Sequence, residues 1–176
     1  MIGVILAGGR SSRMGEDKAL LRVDGRTLLE RTRDVLLEAG VERVVISGAA
    51  HGGIADRWID KGPIGGIASV VGELADGDLL VVPVDMPHID AATLAALRDE
   101  RRMRATRWAG HPLPMRLTLD MTTRSVLADL IGLEGRACSV AALQARVGMT
   151  TLSLDTANTR ALANCNTPEE WQEANP

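Results

Sequence analysis

Val4-Ile5-Leu6-Ala7-Gly8-Gly9-Arg10-Ser11-Ser12-Arg13-Met14-Gly15-Glu16-Asp17-Lys18 is the stretch from which the fold can be read. From Met1 to Ala7 the residues form an apolar run, the pattern of a parallel strand buried on both faces. Gly8 and Gly9 then let the backbone come close to a ligand. N–H groups in such a turn can form an anion-binding concavity, and Arg10, Arg13 and Lys18 add positive charge. A strand running into a cationic, glycine-bearing loop fits a phosphate site; a solvated surface loop fits the same residues. The spacing of Gly8 and Lys18 is not that of GxxxxGK[ST], and no GxGxxG is present, so neither a P-loop nor a dinucleotide fingerprint is indicated. Ser11 and Ser12 read as phosphate or turn donors, since no base that could activate them is evident.

The chain beyond this loop alternates strands and helices. Ala19 to Val23 is a short apolar segment closing on the turn Asp24-Gly25. Thr27 stands three residues before Glu30, the spacing of a capping box, and apolar positions from Leu28 to Ala39 recur at helical spacing before Gly40. Val41 to Ser47 is the next strand, which completes a βαβ unit, and Gly48 to Gly53 is a loop at its end. Gly62-Pro63-Ile64-Gly65-Gly66 precedes a helix over about Ile64 to Leu74; its glycines suit either a ligand or close packing on the sheet. Leu79 to Val84 is the most apolar run and reads as a central strand, with Pro83 near its end. Asp85 then falls at a strand's carboxyl end, where open α/β sheets bind ligands. A carboxylate there suits Mg²⁺, which takes one or two carboxylates plus phosphate oxygens. A turn or helix cap is the competing role, but Asp90 is better placed to cap a helix over Ala91 to Arg98.

The second half is less regular. Strands are expected at Arg104 to Ala109, at His111 to Leu117 (bent or at an edge because of its prolines), and at Thr151 to Leu154. One helix is expected from a Thr122 or Thr123 cap through Ile131, and another over Ser139 to Val147, stopped by Gly148. Thr167-Pro168-Glu169-Glu170 has the form of a further helix start before Trp171.

Composition narrows the function. The 176 residues suit one domain, spanning 1–176, of Rossmann-like three-layer α/β/α architecture with a mostly parallel sheet. Net charge is −3, and the cluster Arg98, Arg101, Arg102 and Arg104 is interrupted by Asp99 and Glu100, as on a solvated helix end. Without a basic stripe or stacking aromatics (Phe and Tyr are absent), nucleic-acid binding is not expected. Cys138 and Cys165 are not paired in a CxxC, and no run approaches the ~18–20 apolar residues of a membrane span. A soluble, reduced, cytoplasmic protein is the expectation. His51, His88 and His111 are scattered and read as surface or loop residues.

Five strings, in order, are similar to those of the molybdenum cofactor guanylyltransferase family. They are LAGG-x-SSRMG-x-DK over Leu6 to Lys18, Gly62-Pro63-Ile64-Gly65-Gly66-Ile67, Val82-Pro83-Val84-Asp85-Met86-Pro87, His111-Pro112-Leu113, and Asn164-Cys165-Asn166-Thr167-Pro168-Glu169. The resemblance implies a Mg²⁺-dependent nucleotidyltransferase that moves GMP from GTP to metal-bearing molybdopterin and releases pyrophosphate. It implies nucleotide contacts from Leu6, Ala7, Gly8, Gly9 and Gly62, phosphate neutralisation by Lys18 and Arg13, and a Mg²⁺ ligand in Asp85. It further implies a GTP contact from the acidic residue before the Gly-Pro loop, taken as Asp60, and a pterin-facing pair in Asn164 and Asn166. Proteins of molybdenum cofactor synthesis or recipient molybdoenzymes are the partners such an enzyme would meet. Where the family commonly carries an Asn after its second strand, this chain has Ser47-Gly48-Ala49, and its 91–111 segment looks shortened. A cytidylyl- or sugar-phosphate nucleotidyltransferase, or an inactive nucleotide-binding paralogue serving molybdoenzyme assembly, are the competing readings. The Asn164–Glu169 string favours the guanylyl enzyme.

Overall fold

The structure is a computed structural model, which describes residues 1–8, 17–154, 159–165 and 171. Gly9, Arg13 and Asn166, and the helix start expected at Thr167 to Glu170, lie outside the described residues.

In chain order the strands are β1 (Ile2–Leu6), β2 (Arg22–Val23), β3 (Arg26–Thr27), β4 (Arg43–Ser47), β5 (Gly77–Pro83), β6 (Ala105–Trp108), β7 (Met115–Leu119) and β8 (Met149–Leu152). The α-helices are α1 (Leu28–Glu38), α2 (Gly62–Val71), α3 (Ala91–Asp99), α4 (Met121–Ile131) and α5 (Val140–Val147). Six strands form one sheet in the order β4-β1-β5-β7-β6-β8, while β2 and β3 make a separate small hairpin. The β4-β1-β5 block is parallel; β7 runs antiparallel to both β5 and β6, and β8 is parallel to β6. The sheet is therefore mostly parallel, with one reversed strand.

Alternation along the strands divides the core into two layers. Val4, Leu6, Leu79 and Val81 face α2, α4 and α5, where they meet Ile64, Ile67, Leu127 and Leu143. Ile5, Leu80 and Val82 face α1 and α3, against Leu28, Leu36, Leu94 and Leu97. Both faces of β1 and β5 are thus buried, which is why these strands read as continuous apolar runs.

Local chemistry fixes the ends of the elements. Thr27 accepts from the Glu30 N–H at 3.1 Å, and the Glu30 carboxylate accepts from the Thr27 N–H at 2.8 Å, so the capping box is complete. Asp90 accepts from the Thr93 N–H at 2.7 Å and starts α3. Three expectations need correction. The strand expected at His111 to Leu117 is β7, over Met115–Leu119: Pro112 and Pro114 precede the ladder and donate nothing to it. The cap of α4 is Asp120, whose carboxylate accepts from the Thr123 N–H at 2.9 Å; the Thr123 hydroxyl donates instead to the Thr118 carbonyl at 2.7 Å. The last strand sits two residues earlier than the alternation of Thr151 to Leu154 suggests.

A buried arginine crosses the half of the sheet away from the first loop. Arg116 of β7 is 1% exposed and donates to Asp78, Thr118 and the carbonyls of Glu100 and Met103. Burial pushes its guanidinium below its ordinary pKa, and Asp78 opposes that shift. The flanking arginines are ion-paired: Arg101 with Asp78, Arg102 with Glu100 and Arg104 with Asp120.

Candidate active site

The carboxyl ends of β1 and β5 lie side by side, with Leu6 opposite Pro83 and the Val84 N–H donating to the Leu6 carbonyl at 3.1 Å. The chain leaving β1 and the chain leaving β5 therefore open on the same space. Lys18 returns from the first loop to that space, and its Nζ lies 3.2 Å from Asp85 Oδ2. Both side chains are largely covered, 17% and 21% exposed. The pair borders a cavity of about 260 Å³ whose wall also includes Leu6, Ala7, Gly8 and Asp56. Gly62 and Pro63, the first residues of α2, line it too, so the partly positive end of a ten-residue helix faces the cavity. The N-cap residue, Lys61, makes no side-chain cap there, and a helix start of this kind favours an anion.

The exit of the first loop is fixed from two directions. Asp17 Oδ1 accepts from the Ala19 N–H at 3.0 Å and starts the short 3₁₀ turn Lys18–Leu20. Asp17 Oδ2 lies 3.1 Å from Nε2 of His51, whose side chain is 6% exposed. His51 does lie between the strands, as one of the two places its sequence suggested, but its side chain faces inward and holds the residue next to Lys18. A second cavity, of about 370 Å³, continues from the first across Ala7, Gly8, Asp17, Asp56 and Ile59, and is walled by Gly48, Ala49 and Ala50.

Of the residues singled out in the sequence, Leu6, Ala7, Gly8, Lys18, Gly62 and Asp85 are brought together on one cavity wall. Asp60 is not: it is exposed on the 3₁₀ turn Ile59–Lys61 and lines neither cavity. Asp56 lines both. Its Oδ1 accepts from the Ser47 hydroxyl at 2.6 Å, and its Oδ2 would lie 2.3 Å from a Cβ added to Gly8. Glycine in the first loop is therefore what lets this carboxylate approach. Distance from the Gly-Pro loop could not separate two aspartates four residues apart. Asn164 is exposed, but the N–H of its neighbour Cys165 donates to the Asp85 carbonyl at 2.9 Å, which ties this segment to the back of the site.

Among the described residues no group of three or more His, Cys, Asp or Glu side chains could hold a metal, so no closed all-protein cage is present there. One carboxylate beside a cation and an anion-facing helix end instead suits a metal arriving with phosphate oxygens. Among the same residues, no helix is long and apolar enough to cross a membrane.

The family model described as the MobA-like NTP transferase domain matches residues 3–147. The chain is 44% identical over 172 residues to the molybdenum cofactor guanylyltransferase of Xanthomonas euvesicatoria pv. vesicatoria, covering 96% of this chain and 91% of that one. The fold is similar to that of molybdopterin-guanine dinucleotide biosynthesis protein A from Archaeoglobus fulgidus, with a TM-score of 0.76 at 19% identity over 99% of this chain and 97% of that one. It is also similar to Rv0371C of Mycobacterium tuberculosis, solved as a complex with manganese, with a TM-score of 0.68 at 21% identity over 99% and 97% of the two chains. A central sheet covered by helices on both faces, a cationic loop leaving its first strand and a match that spans most of the chain leave one assignment: this chain belongs to the MobA-like NTP transferase domain family.

Proposed function

We propose that this protein is a molybdenum cofactor guanylyltransferase, which moves GMP from GTP to molybdopterin and releases pyrophosphate. The observation that carries the reading is the meeting of Lys18 and Asp85 at the carboxyl ends of β1 and β5, beside Gly8 and the start of α2. An ammonium and the start of a helix together favour a polyphosphate. A carboxylate in the same place would repel that polyphosphate unless a divalent cation came with it. Asp85 is the residue that would hold Mg²⁺, which when bound neutralises phosphate charge. Lys18 holds the phosphates, and backbone N–H groups of the first loop and of α2 orient them. Asp56 takes the part expected of Asp60: an ionised carboxylate is acceptor-only, so its partners are N–H or O–H donors of the nucleoside, not phosphate oxygens. The family resemblance gives Arg13 and Gly9 a phosphate-binding role, and Asn164 and Asn166 a pterin-binding role. The pterin phosphate attacks the α-phosphorus of GTP, so no protein nucleophile is required and positioning and charge supply the catalysis.

The test is pyrophosphate release from GTP in the presence of molybdopterin and Mg²⁺, with CTP and ATP in parallel. GTP should be preferred, and Asp85→Ala should abolish turnover. Preference for CTP would replace the guanylyl reading with a cytidylyl one. Nucleotide binding with no release of pyrophosphate would mark a binding protein.

A further inference from the structure

Ser47 closes β4 and is 1% exposed, and it lines neither cavity. Its backbone carbonyl is used by the Ala7 N–H at 3.0 Å, and its hydroxyl donates to Asp56 at 2.6 Å. The space around that bond is kept by two glycines from different elements. A Cβ on Gly8 would meet Asp56 Oδ2 at 2.3 Å, and one on Gly66 of α2 would meet Ser47 Oγ at 2.7 Å. The carboxylate is thus seated between the first loop and α2, with one oxygen fixed by Ser47 and the other beside Gly8, on the wall of both cavities.

We infer that Ser47 is a positioning residue for nucleotide recognition: it touches no substrate and acts by holding Asp56 in the one orientation that presents Oδ2 to the nucleoside. The inference rests on the nucleotidyltransferase reading above. Without the hydroxyl, Asp56 can turn about its χ angles, and the acceptor that meets the nucleoside is no longer preset. Phosphate binding by Lys18 and the end of α2 does not pass through this bond.

The experiment measures Mg²⁺-dependent binding of GTP and of inorganic tripolyphosphate to wild type, Ser47→Ala, Asp56→Ala and the double variant, together with steady-state constants for GTP. Ser47→Ala should weaken GTP binding about tenfold, equivalent to about 1.4 kcal/mol. Tripolyphosphate affinity should stay within about twofold, and KM should rise while kcat is kept, as for a lost ground-state contact. In the Asp56→Ala background the same change should have no further effect. Gly66→Ala offers a second route, because its methyl must push the Ser47 hydroxyl aside while suiting the helix, and it should reproduce the GTP-selective loss. Equal weakening of GTP and tripolyphosphate, or an undiminished Ser47→Ala effect without Asp56, overturns the inference and leaves the nucleotidyltransferase reading standing. Failure of the wild type to bind GTP overturns both.

Discussion

Replacing Arg116 by Met keeps an unbranched apolar stem but ends short of the guanidinium and removes its donors from the middle of the sheet, and the acceptors left behind set the size of the effect. Asp78 retains Arg101 at 3.1 Å and the Thr118 hydroxyl at 2.8 Å, and the Glu100 carbonyl retains the Thr106 hydroxyl at 3.0 Å. The Met103 carbonyl loses the guanidinium, and the Asp78 carboxylate, 21% exposed, loses its most buried counter-charge. Breaking a buried ion pair from one side costs about 3–5 kcal/mol, and the surviving partners of Asp78 and Glu100 put this case near about 3. With a urea slope of about 2 kcal/mol per M, the unfolding midpoint should fall by roughly 1.5 M. Arg116→Lys should recover less than half of the loss, because an ammonium cannot span acceptors on β5, on β7 and on the segment between α3 and β6. Equilibrium urea unfolding followed by circular dichroism is the assay. A midpoint shift under roughly 0.5 M, or full recovery by Lys, would refute the view that this guanidinium ties those segments together.

Three further outcomes follow from the site and its supports. Lys18→Ala should weaken GTP binding by about 1–3 kcal/mol, the range for a charge-assisted contact; calorimetry showing unchanged affinity would move Lys18 out of the phosphate site. Gly65→Ala would bring a Cβ to 2.2 Å from the Trp58 carbonyl, so thermal unfolding should show a loss of about 1–3 kcal/mol despite the better helix former, and an unchanged midpoint would contradict the packing. The Thr123 N–H and Arg104 hold the Asp120 carboxyl below its ordinary pKa of 3.8. A depressed folded value means the unfolded chain binds the proton first, so this stabilisation is present above 3.8 and is lost as pH falls through the lower, folded value. Asp120→Asn keeps a capping oxygen without the titration, so its stability should fall less steeply in acid than that of the wild type; parallel acid limbs would sink the assignment.

Much of this could be read from residues because their local chemistry and their tertiary role coincide. Thr27, Glu30 and Gly40 delimit α1 by rules that operate within one turn, and β1 and β5 announce their burial in unbroken apolar runs. The position of Asp85 was legible for the same reason, as the first acidic residue after a central strand. What escaped depends on pairings across the fold. Arg116 looks like the polar residue of an alternating strand until Asp78 and the end of α3 are set beside it. Asp56 and Asp60 both precede the Gly-Pro loop; what distinguishes them is tertiary, the cavity wall that Asp56 shares with Gly8 and its bond to the Ser47 hydroxyl. His51 meets Asp17 from a different strand end, a contact with no sequence spacing of its own.

The absence of Phe and Tyr has an optical consequence. Near-ultraviolet aromatic absorption and emission come from Trp58, Trp108 and Trp171 alone. Trp108 ends β6 and is 2% exposed, so its emission is that of an indole shielded from water. Trp58 is only partly covered and is bonded in sequence to Ile59, which lines both cavities. With no tyrosine to feed energy into any of them, quenching by an added solute sorts the shielded Trp108 from the partly covered Trp58 and Trp171, and a ligand that shelters the 58–59 turn changes the accessible fraction without any label on the protein.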